Sequence, residues 1–192
     1  MKIFIGLVGE KGSGKDTFAE CLQHCTNDYR IKRVRSSDIL GETLDMWHLP
    51  KTRHNLQHVA IVMDEGFGKG TLTNALRTRI EQMDADIVVF DAVRWMSDLE
   101  MVRSFPCNFL VYITADSKTR YDRTVKRKEK VGEATTSFEE FVQDELISTE
   151  TDIPKIGAQA DIKIENTDDI AKFKALVVEF YQQKVLPSIP RL

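Results

Sequence analysis

The sequence has little of three features that would each indicate a different class of protein. Cysteine accounts for only 3 of the 192 residues, an odd and small number that does not suggest a disulfide framework. No apolar run approaches the length of a membrane span, since the longest ones, residues 87–90 and 109–113, have the length of a strand. Internal repeats, low-complexity tracts and long linkers are also missing. We therefore expect one globular domain.

An excess of positive charge is missing as well. The 27 Lys and Arg residues face 30 Asp and Glu residues, which gives a formal net charge of −3. Proteins that bind long nucleic acids or membrane surfaces rely on excess positive charge, so we expect neither partner. Glu10 and Lys11 interrupt the first apolar run too early for a signal peptide, and we expect a cytoplasmic protein that is a monomer or a homodimer.

Short apolar runs alternate along the chain with amphipathic stretches. Strands are predicted over residues 3–8, 31–35, 87–90, 109–113 and 161–165. Helices are predicted over residues 17–24, 38–47, 55–63, 72–83, 97–104, 117–129 and 170–185, with a further one from residue 137. We expect capping boxes at Ser97 with Glu100 and at Ser137 with Glu140. This alternation predicts the α/β class, with five parallel strands covered on both faces by helices.

Residues 9–15 read Gly-Glu-Lys-Gly-Ser-Gly-Lys and fit the Walker A spacing, between a predicted strand and a predicted helix. Glycines let the backbone curl so that its N–H groups form an anion nest, and the helix presents its positive end to the same anion. Lys15 would supply a mobile charge for the β- and γ-phosphates of ATP. The residues expected to bind ATP in this P-loop are Gly9, Lys11, Gly12, Ser13, Gly14, Lys15, Asp16 and Thr17.

One position departs from the Walker A pattern. The Ser or Thr that normally follows the lysine and binds Mg²⁺ is replaced by Asp16, and Thr17 comes next. A carboxylate binds Mg²⁺ directly or through water, but it adds negative charge beside a triphosphate. Thr17 is rotated by about 100° on an ideal helix and does not simply replace Asp16. Both residues remain candidate metal ligands, and a degenerate P-loop that binds nucleotide without hydrolysing it remains the alternative.

A second group of candidate residues follows the strand predicted over residues 87–90. An acid at the carboxyl end of a buried strand lies at the edge where open α/β sheets bind ligands. Asp91 would bind Mg²⁺ or accept a proton from an attacking hydroxyl, and Arg94 would hold an acceptor phosphate bidentately. The alternatives are a strand-end cap for Asp91 and a surface ion pair for Arg94.

Positive charge is concentrated in the helix predicted over residues 117–129. Arg120, Arg123 and Arg127 follow i, i+3, i+7 spacing and share one face. Phosphoryl transfer needs positive charge around the moving phosphoryl group, and a single arginine that contacts this group raises the rate by about 10³ to 10⁵. A salt-bridged surface helix is the alternative. The candidate catalytic residues are Lys15, Asp91, Arg123 and Arg127.

These motifs resemble those of P-loop nucleotide kinases. The run GSGKDT and residues 52–57 resemble phage-type deoxynucleoside monophosphate kinases, while residues 91–94 and 160–166 are similar to dephospho-CoA-kinase-like proteins. The resemblance implies a nucleoside-monophosphate-kinase-like P-loop NTPase fold with three layers, α/β/α. It also implies a helical insert for the acceptor over residues 38–83, a lid over residues 117–136, and ATP and Mg²⁺ as cofactors.

The same resemblance implies roles for further residues. Asp38 and Arg53 would bind the acceptor with Arg94, and Arg77 and Arg79 are alternatives to Arg53. Asn166 would line the base pocket, although an asparagine there equally suits the N-cap of the last helix. ATP would phosphorylate a small phosphorylated acceptor, a (deoxy)nucleoside monophosphate. Dephospho-CoA is the alternative acceptor, and a non-catalytic nucleotide-binding regulatory protein is the alternative function.

Overall fold

The computed structural model describes residues 2–127, 136–145, 151–167 and 169–189. The strands are β1 (Ile3–Val8), β2 (Ile31–Val34), β3 (Ile87–Val93), β4 (Cys107–Thr114) and β5 (Ile162–Glu165). They form one sheet in the order β2-β3-β1-β4-β5, and every neighbouring pair is parallel. The α/β class and the five-stranded parallel sheet predicted from the sequence are confirmed.

Helices connect the strands. They are α1 (Lys15–Gln23), α2 (Ser36–Met46), α3 (Arg53–Phe67), α4 (Thr71–Gln82), α5 (Met96–Arg103), α6 (Ser117–Arg127), α7 (Phe138–Asp144), α8 (Ile153–Gly157), α9 (Ile170–Phe180) and α10 (Leu186–Ser188), with a π-helical segment, Tyr181–Val185, between the last two. Helix α8 is absent from the sequence-based prediction, because five residues are too few to show a helical period. Within the residues listed above, no helix is both long enough and apolar enough to cross a bilayer.

Two hydrophobic cores cover the two faces of the sheet. Alternate residues of β1 supply both, since Ile5 and Leu7 belong to one core and Phe4 and Val8 to the other. The first core includes side chains of α1 and α9, namely Phe18, Leu22, Phe173 and Val177. The second includes side chains of α4, α5 and α8, namely Leu76, Ile80, Val102 and Ile156. The three-layer α/β/α arrangement predicted above is confirmed.

Three helices lie between β2 and β3, in the interval predicted to bind the acceptor. Helix α2 packs against both α3 and α4, and α3 packs against α4. The role of residues 38–83 as an acceptor-binding insert stays a prediction. Of the lid predicted over residues 117–136, α6 is described, and residues 128–135 lie outside the described residues.

Helix α5 begins differently from the prediction. Trp95 is its N-cap residue, and the Asp98 carboxylate accepts hydrogen bonds from the backbone N–H groups of Arg94 at 3.0 Å and Trp95 at 3.1 Å. The capping box expected at Ser97 is therefore wrong, because residue 97 already lies inside the first turn. The box expected in front of α7 is confirmed, since Ser137 and Glu140 each accept a hydrogen bond from the other's backbone N–H.

Candidate active site

The loop between β1 and α1 has the backbone shape of an anion-binding nest. Gly12 and Gly14 have φ angles of 78° and 109°, a region that side chains disfavour. A Cβ atom on Gly12 would lie 2.6 Å from the carbonyl oxygen of Arg120, and one on Gly14 would overlap the side-chain amide of Asn166. Glycine is thus required at both positions, and the N-terminus of α1 faces the same loop.

Lys15 begins α1 and reaches back across the loop. Its Nζ donates hydrogen bonds to the carbonyl oxygens of Gly9 at 2.5 Å and of Glu10 at 3.0 Å. These backbone contacts hold the ammonium group beside the loop, where it would meet the terminal phosphates of a nucleotide.

A cleft of about 460 Å³ opens beside the loop, a volume within the range of small-molecule sites. Residues of the P-loop, α1, α6 and the segment after β5 contribute to its walls. The lining residues are Gly12, Gly14, Lys15, Asp16, Thr17, Glu20, Arg123, Thr124, Arg127, Asn166 and Ile170. The fold thus brings most of the residues predicted to bind or act on ATP to one cleft.

Arg123 and Arg127 enter this cleft from α6. Arg123 donates from Nη2 to Oδ1 of Asn166 at 3.3 Å, while its Nη1 is buried with no hydrogen-bond partner in the part of the chain that the structure describes. Burial lowers the pKa of the Arg123 guanidinium. Since a buried donor without a partner is unfavourable, this position suits a bound anion. Nη1 of Arg127 lies 3.8 Å from Oδ2 of Asp16.

Arg120, the third arginine of the predicted basic face, has a structural role instead. Its buried guanidinium donates to the carbonyl oxygens of Ala115 at 2.9 Å and Lys11 at 3.3 Å, and it forms an ion pair with Glu145. These bonds fasten α6 and the end of α7 to the P-loop. The Lys11 ammonium lies 5.5 Å from the centre of the Phe141 ring, and Lys11 does not line the cleft.

Asn166, in the segment after β5, is fastened to the P-loop. Its Nδ2 donates to the carbonyl oxygen of Ser13 at 2.8 Å, and its backbone N–H donates to the carbonyl oxygen of Thr114 at 2.7 Å. The N-cap of α9 is Asp169, whose carboxylate accepts from the N–H of Lys172 at 2.9 Å. The alternative prediction that Asn166 caps the last helix is therefore wrong, because α9 begins beyond it. Contact between Asn166 and a base stays a prediction.

Asp91 lies inside β3 and is not a strand-end cap. The strand continues to Val93, and a bulge occurs there, since Leu7 of β1 pairs with Asp91 while Val8 pairs with Val93. The Asp91 residue is only 6% exposed. Burial raises the pKa of this carboxyl above its ordinary value, although the nearby positive charge of Lys15 opposes the shift.

Arg33 of β2 is a site residue that the sequence reasoning missed. Its Nη2 donates hydrogen bonds to Oδ1 of Asp16 and to Oδ2 of Asp91, so one nitrogen joins two carboxylates. Partial burial raises the pKa of Asp16, but Arg33, with Lys15 and Arg127, outweighs burial and holds this pKa below its ordinary value. The sequence shows an arginine in the strand β2, but its relation to Asp91 depends on the pairing of β2 with β3, which the sequence alone does not give.

The Asp16 and Asp91 carboxylates fit a divalent cation. Both contact the same nitrogen atom, so a single ion would reach both, and carboxylate oxygens are ligands that Mg²⁺ prefers. No group of three or more His, Cys, Asp or Glu side chains converges as a metal site among the described residues. Nucleotide phosphates would therefore complete the coordination, as is usual for Mg²⁺. Asp16 and Thr17 line the cleft beside the P-loop, whereas Asp91 does not.

The predicted acceptor residues are more scattered. Arg94 follows β3, and its backbone is held by Asp98. Asp38 accepts a hydrogen bond from the N–H of Arg35 at 2.9 Å and so caps α2. Arg53 begins α3, and its side chain lies outside the described part of the structure. Their role in binding an acceptor stays a prediction.

Arg77 and Arg79 of α4 each form an ion pair with a glutamate. Nε of Arg77 lies 2.9 Å from Oε1 of Glu81, and Nη1 of Arg79 donates to Oε1 of Glu42 at 2.8 Å. Neither arginine lines the cleft beside the P-loop. Arg77 is therefore paired within α4, and Arg79 is paired with Glu42 of α2.

Comparison with known sequences finds relatives of low identity. No family model matches the chain. A UPF0200 protein of Sulfurisphaera tokodaii is 27% identical over 179 residues, which cover 93% of this chain and 96% of the relative. A UPF0200 protein of Hyperthermus butylicus is 25% identical over 174 residues, which cover 91% of this chain and 90% of the relative. The name UPF0200 states no activity.

Comparison with solved structures finds similar folds. Shikimate kinase from Bacteroides thetaiotaomicron has a TM-score of 0.60 at 13% identity, covering 96% of this chain and 98% of its own. Shikimate kinase from Acinetobacter baumannii, in complex with shikimate, has a TM-score of 0.56 at 15% identity, covering 99% and 97%. At such identities the similarity shows the fold alone, and that fold is the predicted P-loop kinase-like one. The narrower resemblance to phage-type deoxynucleoside monophosphate kinases or dephospho-CoA kinases gains no support from these comparisons.

Proposed function

We propose that the protein is a P-loop kinase that transfers the γ-phosphoryl group of ATP to a small phosphorylated acceptor, a (deoxy)nucleoside monophosphate. One observation carries this proposal: Lys15 on the P-loop and Arg123 and Arg127 on α6 line the same cleft. Positive charge on two sides of a nucleotide-sized cleft stabilises the charge on a phosphoryl group in transfer. The kinase-like fold supports the same reaction class.

The residues of the cleft would have separate roles in phosphoryl transfer. The P-loop N–H groups and Lys15 would hold the phosphates of ATP. An oxygen of the acceptor would attack the γ-phosphorus in line, forming a new P–O bond while the bond to the bridging oxygen of ADP breaks. ADP leaves with that electron pair. Arg123 and Arg127 would stabilise the charge on the moving group.

Asp91, with Asp16 or Thr17, would hold Mg²⁺, which supplies positive charge to the β- and γ-phosphates when bound. The phosphate oxygen of a monophosphate is already ionised, so it attacks without a base. A hydroxyl acceptor would instead need a base, and the buried Asp91 carboxylate would serve. Asp91 therefore has a role with either class of acceptor.

The carboxyl edge of β2 and β3 supports a phosphorylated acceptor. Arg33 lies between the two carboxylates there, and Nη1 of Arg35 lies 4.0 Å from Oδ1 of Asp16. Arg94 follows β3 at the same edge. Arginines bind phosphates bidentately, and open α/β sheets bind ligands at this edge. Helices α2 to α4 would form the acceptor-binding insert, and α6 would form part of the lid.

A coupled assay of ADP release tests the proposal. The acceptor panel holds ribo- and deoxyribonucleoside monophosphates, dephospho-CoA and shikimate, and the variants are Lys15→Ala and Lys163→Ala. Lys163 is an exposed lysine paired with Glu165, so its loss provides a matched control. We expect a monophosphate to accelerate ADP release, Lys15→Ala to reduce the rate by about 10³ or more, and Lys163→Ala to leave it unchanged.

Two results would contradict the proposal. If no acceptor accelerates ADP release and Lys15→Ala alters nucleotide binding alone, the protein binds nucleotide without transferring phosphate. If transfer survives Lys15→Ala undiminished, the assignment of the P-loop is wrong.

A further inference from the structure

Arg33 occupies the space between the Asp91 and Asp16 carboxylates, two of the three residues that the proposed function gives as candidate metal ligands. Its Nη2 contacts Asp16, in the first turn of α1, and Asp91, in β3. The Arg33 side chain is 14% exposed and that of Asp91 is 5% exposed, so solvent screens the Arg33–Asp91 contact weakly, whereas the Asp16 side chain is 52% exposed. The guanidinium thus reduces the repulsion between the two acids.

The contact lacks the geometry of a strong arginine–carboxylate pair. Such pairs are usually bidentate, with two parallel N–H donors on one carboxylate, whereas Arg33 uses Nη2 for both acids. Its Nε is buried and has no hydrogen-bond partner among the residues that the structure describes. A buried donor without a partner is unfavourable, so exposure of Nε offsets part of the cost of moving the guanidinium away from the two acids.

A metal ion and this guanidinium exclude each other from the pair. Mg²⁺ binds oxygen at about 2.0 to 2.1 Å, so an ion between the two carboxylates would take the space of Nη2. Two acids with both Arg33 and a divalent cation would also hold three positive charges against two negative ones. One of the two cations therefore leaves.

We propose that Arg33 and the divalent cation are alternative occupants of the Asp16–Asp91 pair, and that Arg33 leaves the pair when the cation binds. The inference rests on the proposed function and takes Asp16, rather than Thr17, as the second metal ligand. Because a cation must first displace Arg33, the nucleotide-free protein binds free metal weakly. The metal is then loaded together with the nucleotide, whose phosphates supply the additional ligands.

Binding of Mn²⁺ alone to the nucleotide-free protein tests this exchange. Free Mn²⁺ is measured by electron paramagnetic resonance during titration of the wild type, Arg33→Gln, Arg30→Gln and the double variant Arg33→Gln with Asp91→Asn. Arg30→Gln removes the same charge from an exposed arginine that pairs with Asp84 and Asp86, outside the cleft. We expect Arg33→Gln to bind Mn²⁺ about tenfold more tightly than the wild type, Arg30→Gln to match the wild type, and Asp91→Asn to abolish the gain.

Equal or weaker Mn²⁺ binding by Arg33→Gln would overturn the proposal. If that variant does not fold, Arg33→Lys decides, because lysine keeps the charge on a shorter side chain and is expected to bind Mn²⁺ more tightly than the wild type. Binding by Arg33→Lys no tighter than that of the wild type would likewise overturn it. Thermal unfolding gives a second readout: Mn²⁺ should raise the unfolding temperature of the Arg33 variant by more than that of the wild type.

The outcome is separable from that of the kinase assay, since neither ATP nor an acceptor is present. Phosphoryl transfer with equal Mn²⁺ affinities would leave the proposed function standing and overturn the exchange. A tenfold gain in Mn²⁺ affinity, together with a kinase assay in which no acceptor receives a phosphoryl group, would support the exchange and contradict the kinase proposal.

Discussion

The side-chain amide of Asn166 donates a hydrogen bond to the carbonyl oxygen of Ser13 at 2.8 Å. Both residues are buried, and the bond joins the segment after β5 to the middle of the P-loop. The same amide lies where a side chain on Gly14 would have to go. The shape of the phosphate-binding loop therefore depends on a residue near the other end of the chain.

Replacing Asn166 with alanine should weaken both the fold and nucleotide binding. The carbonyl of Ser13 would lose its partner in a buried position, which costs about 1 to 3 kcal/mol of unfolding free energy. Urea unfolding and equilibrium ATP binding measure the two effects. Asn108→Ala is the matched control, because Asn108 donates to the carbonyl of Phe105 at 2.7 Å. Asn108 lies at the beginning of β4, whereas Asn166 contacts Thr114 at its end. It should lose stability but keep its ATP affinity, and an equal loss of ATP affinity in both variants would contradict this account.

Arg123 and Arg120 share one face of α6, but their replacement by alanine should have different effects. Arg123→Ala should lower the rate of phosphoryl transfer by about 10³ while leaving the unfolding free energy near that of the wild type. Arg120→Ala removes the partner of Glu145 and should destabilise the protein by about 3 kcal/mol. Turnover assays and urea unfolding on both variants provide the comparison.

The reverse pattern would show that the two roles are interchanged. In that event Arg123→Ala would unfold readily, while Arg120→Ala would keep its stability and lose the phosphoryl-transfer rate.

Asp98 should make stability fall as pH rises. Burial raises the pKa of this carboxyl to about 6 from an ordinary value of 3.8, so the folded protein holds the proton more tightly than the unfolded chain does between these values. The unfolding free energy should therefore decrease through this window and level off above about pH 6, by at most about 3 kcal/mol. Asp98→Asn should lack that decrease. Its unfolding free energy, relative to that of the wild type, should therefore be highest near neutral pH.

Asp116 provides a control of opposite sign. A hydrogen bond from Thr119 lowers the pKa of this exposed carboxyl, so its contribution to stability is present at neutral pH and is lost in acid. Urea unfolding of the wild type, Asp98→Asn and Asp116→Asn from about pH 2 to about pH 8 separates the two effects, because the Asp116 contribution is lost only as the pH falls below its ordinary pKa of 3.8. Parallel pH profiles for Asp98→Asn and the wild type would contradict the prediction.

Asp16→Asn should change ATP affinity in opposite directions with and without metal. The Asp16 carboxylate lines the cleft beside the expected triphosphate, so its removal should tighten ATP binding in a chelator by about tenfold. With Mg²⁺ present, the loss of a metal ligand should instead weaken ATP binding. Calorimetric titration of ATP with and without Mg²⁺ measures the affinities, and Asp28→Asn, which removes an exposed carboxylate that does not line the cleft, is the control. Weaker ATP binding by Asp16→Asn in the chelator would contradict the repulsion.

Local features of the site were predictable from the sequence. The P-loop is a short run whose spacing encodes its shape, and the helical period placed Arg123 and Arg127 on one face. The period did not distinguish Arg120, because its burial depends on Glu145 of the segment that packs against α6. A pattern confined to one helix does not contain that information.

Features that depend on strand order or on the end of a strand were not predictable. Arg33 meets Asp91 because β2 lies beside β3 in the sheet, although three helices separate them along the chain. The start of α5 was misplaced because β3 continues past Asp91 to Val93, so that Asp98 rather than Glu100 takes the capping position. Local propensity does not fix either relationship.

The most direct test of phosphoryl transfer follows the phosphoryl group itself. The protein is incubated with ATP carrying ¹⁸O on the γ-phosphoryl group, Mg²⁺ and a deoxynucleoside monophosphate, and the products are resolved by mass spectrometry. We expect a labelled deoxynucleoside diphosphate in equal amount to ADP, and none with Lys15→Ala. Labelled inorganic phosphate as the sole labelled product beside ADP would contradict the account, since it would show hydrolysis without transfer to an acceptor.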